Sequence, residues 1–431
     1  WVAQIDQAER IPEFIARAFQ TATAGRPGPV VLALPEDMLA ERAAVADAAP
    51  YRPVEPHPDA ADMARLRELL AGAEQPLVMV GGSGWSEQAV ADLKAFAEAN
   101  ALPVAATFRR QDRFDNSHAC YAGEVGIGVN PKLAERVREA DLLLVLGARL
   151  GEMTTGGYTL IGIPKPKQRL VHVHPGAEEL GRVYQAELMI HSGMGPFAAA
   201  ARALEPIARP RWAARTRAAH EDYLDNIAPP RIPGELQMGE VMACLNERLP
   251  PEAIVTNGAG NYSVWPNRFY RHRRFGTQLA PVSGSMGYGL PAAIAAKLVR
   301  PEHPVVAFAG DGCFLVCGQE LATAVQYRLP IVVLVVNNGM YGTIRMHQER
   351  EYPGRVIGTD LVNPDFAALA KAYGAQGETV TRTADFAPAF ERALAADGPA
   401  LIELKVDPEA VNPRTTLSAL REEALARQGG D

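Results

Sequence analysis

Cysteine is scarce in this sequence: Cys120, Cys244, Cys313 and Cys317 are the only four. None of their spacings is that of a zinc site, and thiols this scattered imply no disulfide framework. A small disulfide-stapled secreted fold is thereby excluded, and a reducing cytoplasm is the expected location. Uninterrupted apolar runs are short as well, none approaching the roughly 18 residues needed to span a bilayer. The first residues lack the charged-then-apolar pattern of a secretory leader, so no membrane partner is expected. Long runs of one charge are also missing. The densest basic run is Arg271-His272-Arg273-Arg274, in a chain of net charge -7. It is too short to track a phosphate backbone, so nucleic acid is not an expected partner and a solvated turn is expected there.

What is present is an ordinary soluble composition, 48% hydrophobic and 22% charged over 431 residues. That length predicts two or three domains. Residues 1–40 read as helix, turn and strand. The amphipathic stretch Ile11–Phe19 is followed by the turn Gly25-Arg26-Pro27-Gly28-Pro29 and the short buried strand Val30–Leu34. One such unit cannot bury its own faces, so it reads as the last piece of a larger domain. Residues 41–60, with four prolines, have linker composition. Residues 61–205 alternate helix with strand: Leu77–Val80 runs into Gly81-Gly82-Ser83-Gly84, Leu142–Leu146 into Gly147, and Leu170–His174 closes the block. Residues 206–235 are a second proline-rich linker with a helix inside it. Residues 236–431 alternate again, through Ala253–Thr256, Val305–Ala309, a helix near Phe314–Arg328, Ile331–Val336 and Ala400–Val406, before a polar helical tail. Continuous apolar strands separated by helices predict parallel sheets covered on both faces, hence an α/β chain of consecutive doubly wound domains.

In open parallel sheets ligands bind beyond the carboxyl ends of the strands. Three strand ends of the last block carry unusual loops: Asn257–Tyr262, Gly310–Cys313 and Asn337–Met340. Asp311 offers a hard carboxylate oxygen and Asn338 an amide oxygen, both suited to magnesium, which favours oxygen ligands and often shares phosphate oxygens. Gly310 and Gly312 let backbone N–H groups approach a diphosphate, and the following helix would aim its N-terminus at the same anion. Gly-Asp-Gly alone is a common turn, as is Asn-Asn-Gly. Here each follows a buried strand, and Asp311 and Asn338 stand 27 residues apart with a helical stretch between. One carboxylate and one amide suit a metal that already carries a diphosphate.

Gly310-Asp311-Gly312 through Asn337-Asn338 resembles the thiamine-diphosphate motif of the acetolactate synthase, pyruvate oxidase and pyruvate decarboxylase superfamily. Ser283–Ala293 resembles that family's pyrimidine-holding stretch, and Gly25–Val30 the close of its first domain. The resemblance, strongest to acetolactate synthase large subunits, covers essentially the whole chain in order. It implies thiamine diphosphate and Mg2+ as cofactors, with Asp311, Asn338 and the Met340 carbonyl as metal ligands. Gly260, Asn261, Tyr262, Gly312 and Cys313 would line the diphosphate, with Gly310, Tyr341 and Gly342 beside them. The Gly284 carbonyl would accept from the pyrimidine amino group. The Met286 N–H would reach a ring nitrogen with Ser285 adjacent, and the Met286 side chain would wedge between the two rings. A bent cofactor removes its own C2 proton; the ylid attacks a 2-oxo acid, carbon dioxide leaves, and the ring absorbs the carbanion as an enamine. The activity implied is decarboxylation, carboligation, or both.

The sequence departs from the family in three places. The glutamate that drives imino formation lies in the family's first domain, of which residues 1–40 match only the end. Glu9, Glu13 and Glu36 are not in the matching motif, so the chain reads as a fragment, opening inside a helix and incomplete for catalysis. The family's subunits complete one another's sites, so a homodimer or homotetramer is expected. His347 stands where acetolactate synthases usually carry tryptophan, which leaves the particular 2-oxo acid open and makes His347 a candidate substrate contact or proton donor. The central block resembles a flavin-binding domain only weakly, through Gly81–Gly84 and Gly147-Ala148-Arg149, with His172-Val173-His174-Pro175 in place of an acidic pattern. FAD is the less favoured cofactor, an FAD-dependent oxidase and a non-catalytic homologue the alternatives. Arg109-Arg110-Gln111-Asp112 and His118 lie on a loop to which the sequence assigns no role.

Overall fold

In the computed structural model, residues 1–52 and 54–428 are described. The chain divides into two compact units: residues 1–107 with 125–220, and residues 108–124 with 221–431. The sequence reading had placed 108–124 with the central block; the structure groups this segment with the second unit.

The first unit opens on a strand, not inside a helix. β1 (Val2–Gln4) pairs in parallel with β2 (Val31–Ala33), and the amphipathic helix between them, Ile11–Thr23, buries none of its residues fully. The unit's main sheet has the strands β3 (Pro76–Val80), β4 (Val104–Thr107), β5 (Tyr121–Val125), β6 (Leu142–Leu146), β7 (Arg169–His174) and β8 (Leu188–His191), in the order β5-β4-β3-β6-β7-β8. β3 and β6 are buried along their whole length, as expected of strands covered on both faces. Their glycine loops pack on each other. A side chain at Gly82, where φ is +72°, would run into the Gly147 carbonyl, and one at Gly81 into Thr107. Close backbone approach requires glycine at both positions.

The second unit holds the strands β9 (Ile254–Asn257), β10 (Gln278–Leu279), β11 (Val305–Gly310), β12 (Ile331–Asn337), β13 (Gln376–Val380) and β14 (Ala400–Lys405), in the order β10-β9-β11-β12-β14-β13, every pairing parallel. Alternate residues feed two cores. Val306, Phe308, Val332 and Leu334 pack on one face with helices Met238–Arg248 and Thr383–Leu394. Val305, Ala307, Val333 and Val335 pack on the other with helices Gly289–Val299 and Phe366–Tyr373. β9 continues to β10 on one side while β11 lies on its other side. The strand order therefore reverses between β9 and β11, which opens a crevice at their carboxyl ends.

Two local expectations are corrected, and the expected tail helix finds its docking site. The helix near 314–328 starts earlier, at Asp311, and is broken into Asp311–Cys317, a 3-10 turn Gly318–Glu320 and Leu321–Gln326. A side chain at Gly318 would strike the Phe314 ring at 2.7 Å, so the kink and the glycine go together. The basic run 271–274 is not a solvated turn throughout. His272 is buried, its N–H donates to Asn116 Oδ1 at 2.9 Å, and Arg273 donates to the Leu249 carbonyl at 2.7 Å. The polar tail helix Leu417–Gln428 docks through Leu417 and Leu420 into a small core with Met340 and Val411.

Candidate cofactor-binding site

At the end of β9 the chain passes through Gly258-Ala259-Gly260 into a 3-10 turn, Asn261–Ser263. β11 runs straight into the helix starting at Asp311. β12 ends at Asn337, and Asn338–Tyr341 leads to helix Gly342–Glu351. Together with the loop before Gly289, these segments line a cavity of about 240 Å³. Of the residues singled out in the sequence, Gly260, Asn261, Tyr262, Gly284 and Met286 lie in its wall, as do Gly310, Asp311, Gly312 and Cys313, and Asn338, Met340, Tyr341 and Gly342. Ser285 is exposed beside it, its hydroxyl donating to the Met286 carbonyl at 3.1 Å. His347 is not brought to the cavity. It lies on the exposed side of its helix, while Thr343 and Met346 are the residues that meet Asn261.

Asp311 is 3% exposed. Its Oδ1 accepts from Gly312 N at 2.9 Å; its Oδ2 accepts from Gly339 N at 2.9 Å and Asn363 Nδ2 at 2.8 Å. Burial pushes its carboxyl above the ordinary aspartate range, against the pull of these donors. A cation at the carboxylate would stabilise the charged form. Asn363 also donates to Asn337 Oδ1 at 3.0 Å, and Asn337 in turn donates to Glu403 Oε1 at 2.8 Å on β14. Asn363 was missed in the sequence. The available signal was Asn363-Pro364-Asp365, a turn leading into an N-cap: the Asp365 carboxylate accepts from Ala368 N and starts helix Phe366–Tyr373. The segment 359–361 braces the same loop through an isolated antiparallel bridge between Met340 and Asp360, with Tyr341 N donating to the Thr359 carbonyl at 2.8 Å and Leu361 N to the Gly339 carbonyl at 2.9 Å.

The glycines of the motif make room for aromatic rings. A Cβ at Gly310 would lie 2.7 Å from the Tyr262 ring, and one at Gly312 would lie 2.5 Å from Tyr341. Tyr262 is buried; its hydroxyl accepts from Gly258 N at 3.0 Å and donates to Cys313 Sγ at 3.1 Å. Burial pushes the phenol well above its usual range. Cys313 Sγ also accepts from Gly287 N at 3.3 Å, so one thiol ties the β9 turn to the loop carrying Gly284 and Met286. Asn261 is fixed by Thr343, whose hydroxyl accepts from Asn261 N and donates to Asn261 Oδ1, each at 2.9 Å.

Asp311, Asn338 and the Met340 carbonyl offer three oxygen donor groups, a hard set that suits Mg2+ rather than zinc. Among the described residues no group of three or more His, Cys, Asp and Glu side chains could hold a metal by itself. A donor set poor in charge fits a cation whose remaining ligands come from a diphosphate. Asn363 Oδ1, beside Asp311, is buried without a hydrogen-bond partner, one further acceptor at the same place.

Residues 258–404 match the family described as thiamine pyrophosphate enzyme, C-terminal TPP binding domain, and residues 63–201 the thiamine pyrophosphate enzyme, central domain. Across 420 residues the chain is 32% identical to the acetolactate synthase large subunit of Parasynechococcus marenigrum (strain WH8102), covering 94% of this chain and 67% of that one. The chain belongs to the thiamine pyrophosphate enzyme family. It is also 29% identical over 415 residues to the acetolactate synthase isozyme 2 large subunit of Escherichia coli (strain K12), covering 94% of this chain and 73% of that one. With the acetolactate synthase large subunit of Corynebacterium glutamicum it shares 32% identity, covering 93% of this chain and 66% of the relative. A thiamine-pyrophosphate-dependent enzyme related to acetolactate synthases is thus the family frame in which the cavity is read. Among the described residues no helix is long and apolar enough to cross a membrane.

Proposed function

We propose that this protein binds thiamine diphosphate through Mg2+ in the second-unit cavity and catalyses decarboxylation of a 2-oxo acid, carboligation, or both. The observation that carries the reading is the convergence of Asp311, Asn338 and Met340 in the wall of one cavity that also includes Gly284 and Met286. Asp311, Asn338 and the Met340 carbonyl hold the metal. Gly260, Asn261, Tyr262, Gly310, Gly312, Cys313, Tyr341 and Gly342 surround the diphosphate. The Gly284 carbonyl and Met286 N–H orient the pyrimidine. The Met286 side chain, 39% exposed at the cavity, separates the two rings. When bound, the cofactor supplies the electron sink for loss of carbon dioxide from the substrate. The chain's own contribution is position and a low-dielectric lining. His347, which does not line the cavity, is not assigned to the cofactor. Cytoplasmic location and a homodimer or homotetramer belong to the same reading.

Calorimetric titration with thiamine diphosphate, with and without Mg2+, tests the site. A panel of 2-oxo acids followed by carbon dioxide release from the full-length protein tests the reaction. Binding that requires Mg2+ is the expected result; no binding at millimolar cofactor sinks the proposal. Flavin absorbance in the purified protein would favour an oxidase instead.

A further inference from the structure

Residues 108–120 connect β4 to β5 in sequence, yet the segment 108–124 groups with the second unit. At their start stands Arg109, which the cofactor reading leaves without a role. Arg109 is 4% exposed. One terminal nitrogen donates to the Pro281 carbonyl at 2.7 Å; the other donates to Ser263 Oγ at 3.3 Å. Pro281 opens the loop that carries Gly284 and Met286. Ser263 follows Tyr262 directly. A single guanidinium therefore bridges the two loops that Cys313 Sγ also joins.

The residue is itself fixed at several points. Its φ of +56° is left-handed, a conformation that costs a non-glycine residue free energy and persists only where the surroundings over-determine it. Its N–H donates to Glu124 Oε1 at 3.0 Å, its carbonyl accepts from Arg110 Nη1 at 2.8 Å, and its guanidinium sits 4.8 Å over the Phe108 ring. Glu124 is held in turn by Gln111 Nε2 at 3.1 Å, and Gln111 also donates to the Asn267 carbonyl at 2.7 Å. Arginine suits such a bridge because its planar fork directs two donors at a fixed separation. A guanidinium placed for charge alone would face a carboxylate side chain; this one directs its terminal donors at a backbone carbonyl and a hydroxyl on two different loops.

We propose that Arg109 is a positioning residue for the cofactor pocket, holding the Asn261–Ser263 turn and the Pro281–Met286 loop in the arrangement that thiamine diphosphate needs. The proposal rests on the cofactor reading above. Arg109 touches no cofactor; it acts through Ser263 and Pro281.

The test is calorimetric titration of the full chain with thiamine diphosphate in excess Mg2+, alongside apo-protein melting. Wild type comes first: no binding there overturns the cofactor reading, and this proposal with it. Given wild-type binding, Arg109→Met removes both donors and raises Kd roughly 10- to 30-fold. Arg109→Lys, whose ammonium still reaches one acceptor, recovers to within about threefold of wild type. Ser263→Ala removes one arm and raises Kd about threefold, with apo melting unchanged. Rescue by Lys is what a merely space-filling role would not produce. A folded Arg109→Met protein with wild-type Kd overturns the proposal, as does a Lys variant no better than Met. If Arg109→Met does not fold, the other two variants decide: unchanged affinity in both overturns it.

Discussion

Asn363 Nδ2 donates at 2.8 Å to Asp311 Oδ2 and at 3.0 Å to Asn337 Oδ1. These residues come from three segments, the end of β11, the end of β12 and the turn before helix Phe366–Tyr373, so a single amide sets where the Asp311 carboxylate stands relative to the β12 loop. Asn363→Ala leaves Oδ2 with Gly339 N as its remaining donor. The expected cost is about 1–3 kcal/mol of stability together with weaker Mg2+-dependent cofactor binding. Thermal melting with and without Mg2+ and thiamine diphosphate reads both; equal wild-type and variant responses would show that Asn363 does not position Asp311.

Asp311→Ala removes the carboxylate of the proposed metal site while leaving Asn338 and the Met340 carbonyl. Retention of thiamine diphosphate through gel filtration in Mg2+ buffer should be lost. Cofactor retained at the wild-type level would refute Asp311 as a ligand.

Met286 is partly exposed at the cavity, so Met286→Ala should leave stability within about 0.5 kcal/mol of wild type. In the full-length protein, turnover of the best 2-oxo acid should fall by at least about tenfold, as expected for a residue that shapes the reacting geometry. Steady-state kinetics beside a denaturant titration separates the two; unchanged kcat removes Met286 from the machinery.

Glu349, whose side chain is fully buried, pairs with Arg421 at 2.5 Å and Arg345 at 3.3 Å and accepts from Gly354 N at 3.0 Å. The Arg421 hydrogen bonds lead in holding its carboxyl down, to about 2. A depressed acid contributes stability that is present above the ordinary value of 4.5 and lost as pH falls toward 2. Arg421 is 40% exposed, so solvent screening reduces the effect to roughly 2 kcal/mol. Glu349→Gln should therefore melt lower than wild type at pH 7, with the gap closing below about pH 4. A gap independent of pH would exclude the ion pair as its source.

Glu124 behaves in the opposite sense. Burial lifts its carboxyl to about 7, against the Arg109 N–H and guanidinium. Between 4.5 and 7 the folded state holds a proton that the unfolded state has lost, so this group's contribution falls as pH rises through that window. Buried His272 is depressed to about 4 by burial; its contribution is present above 6.5 and is lost as pH falls through 4. The two oppose each other across the acid range in wild type. Glu124→Gln should unmask the His272 slope, giving a melting temperature that climbs more steeply from pH 5 to 7. Parallel wild-type and variant profiles would rule this out.

Much of the site was legible because its chemistry is local in sequence. Asp311 directly follows β11, and Asn338 comes one residue after β12 ends, so a buried apolar run ending in a polar loop already places each at a strand's carboxyl end. Strands β3, β6, β7, β9, β11, β12 and β14 were legible for the same reason: each is an apolar run long enough to stand out. Strand β10 is only two residues long, and tertiary pairing with β9 defines it.

By itself, then, the sequence determined two alternating parallel-sheet blocks and the hard-oxygen motif at the ends of two strands, because alternation, apolar run length and loop chemistry are properties of contiguous residues. The tertiary structure decided what crosses large sequence separations. It set the reversal of strand order between β9 and β11 that opens the crevice. It brought Asn363 onto Asp311, and it carried Arg109 to Ser263 and Pro281, 154 and 172 residues away. Neither pairing leaves a periodicity or spacing to read, since each is specified by how the elements pack and not by the residues on either side.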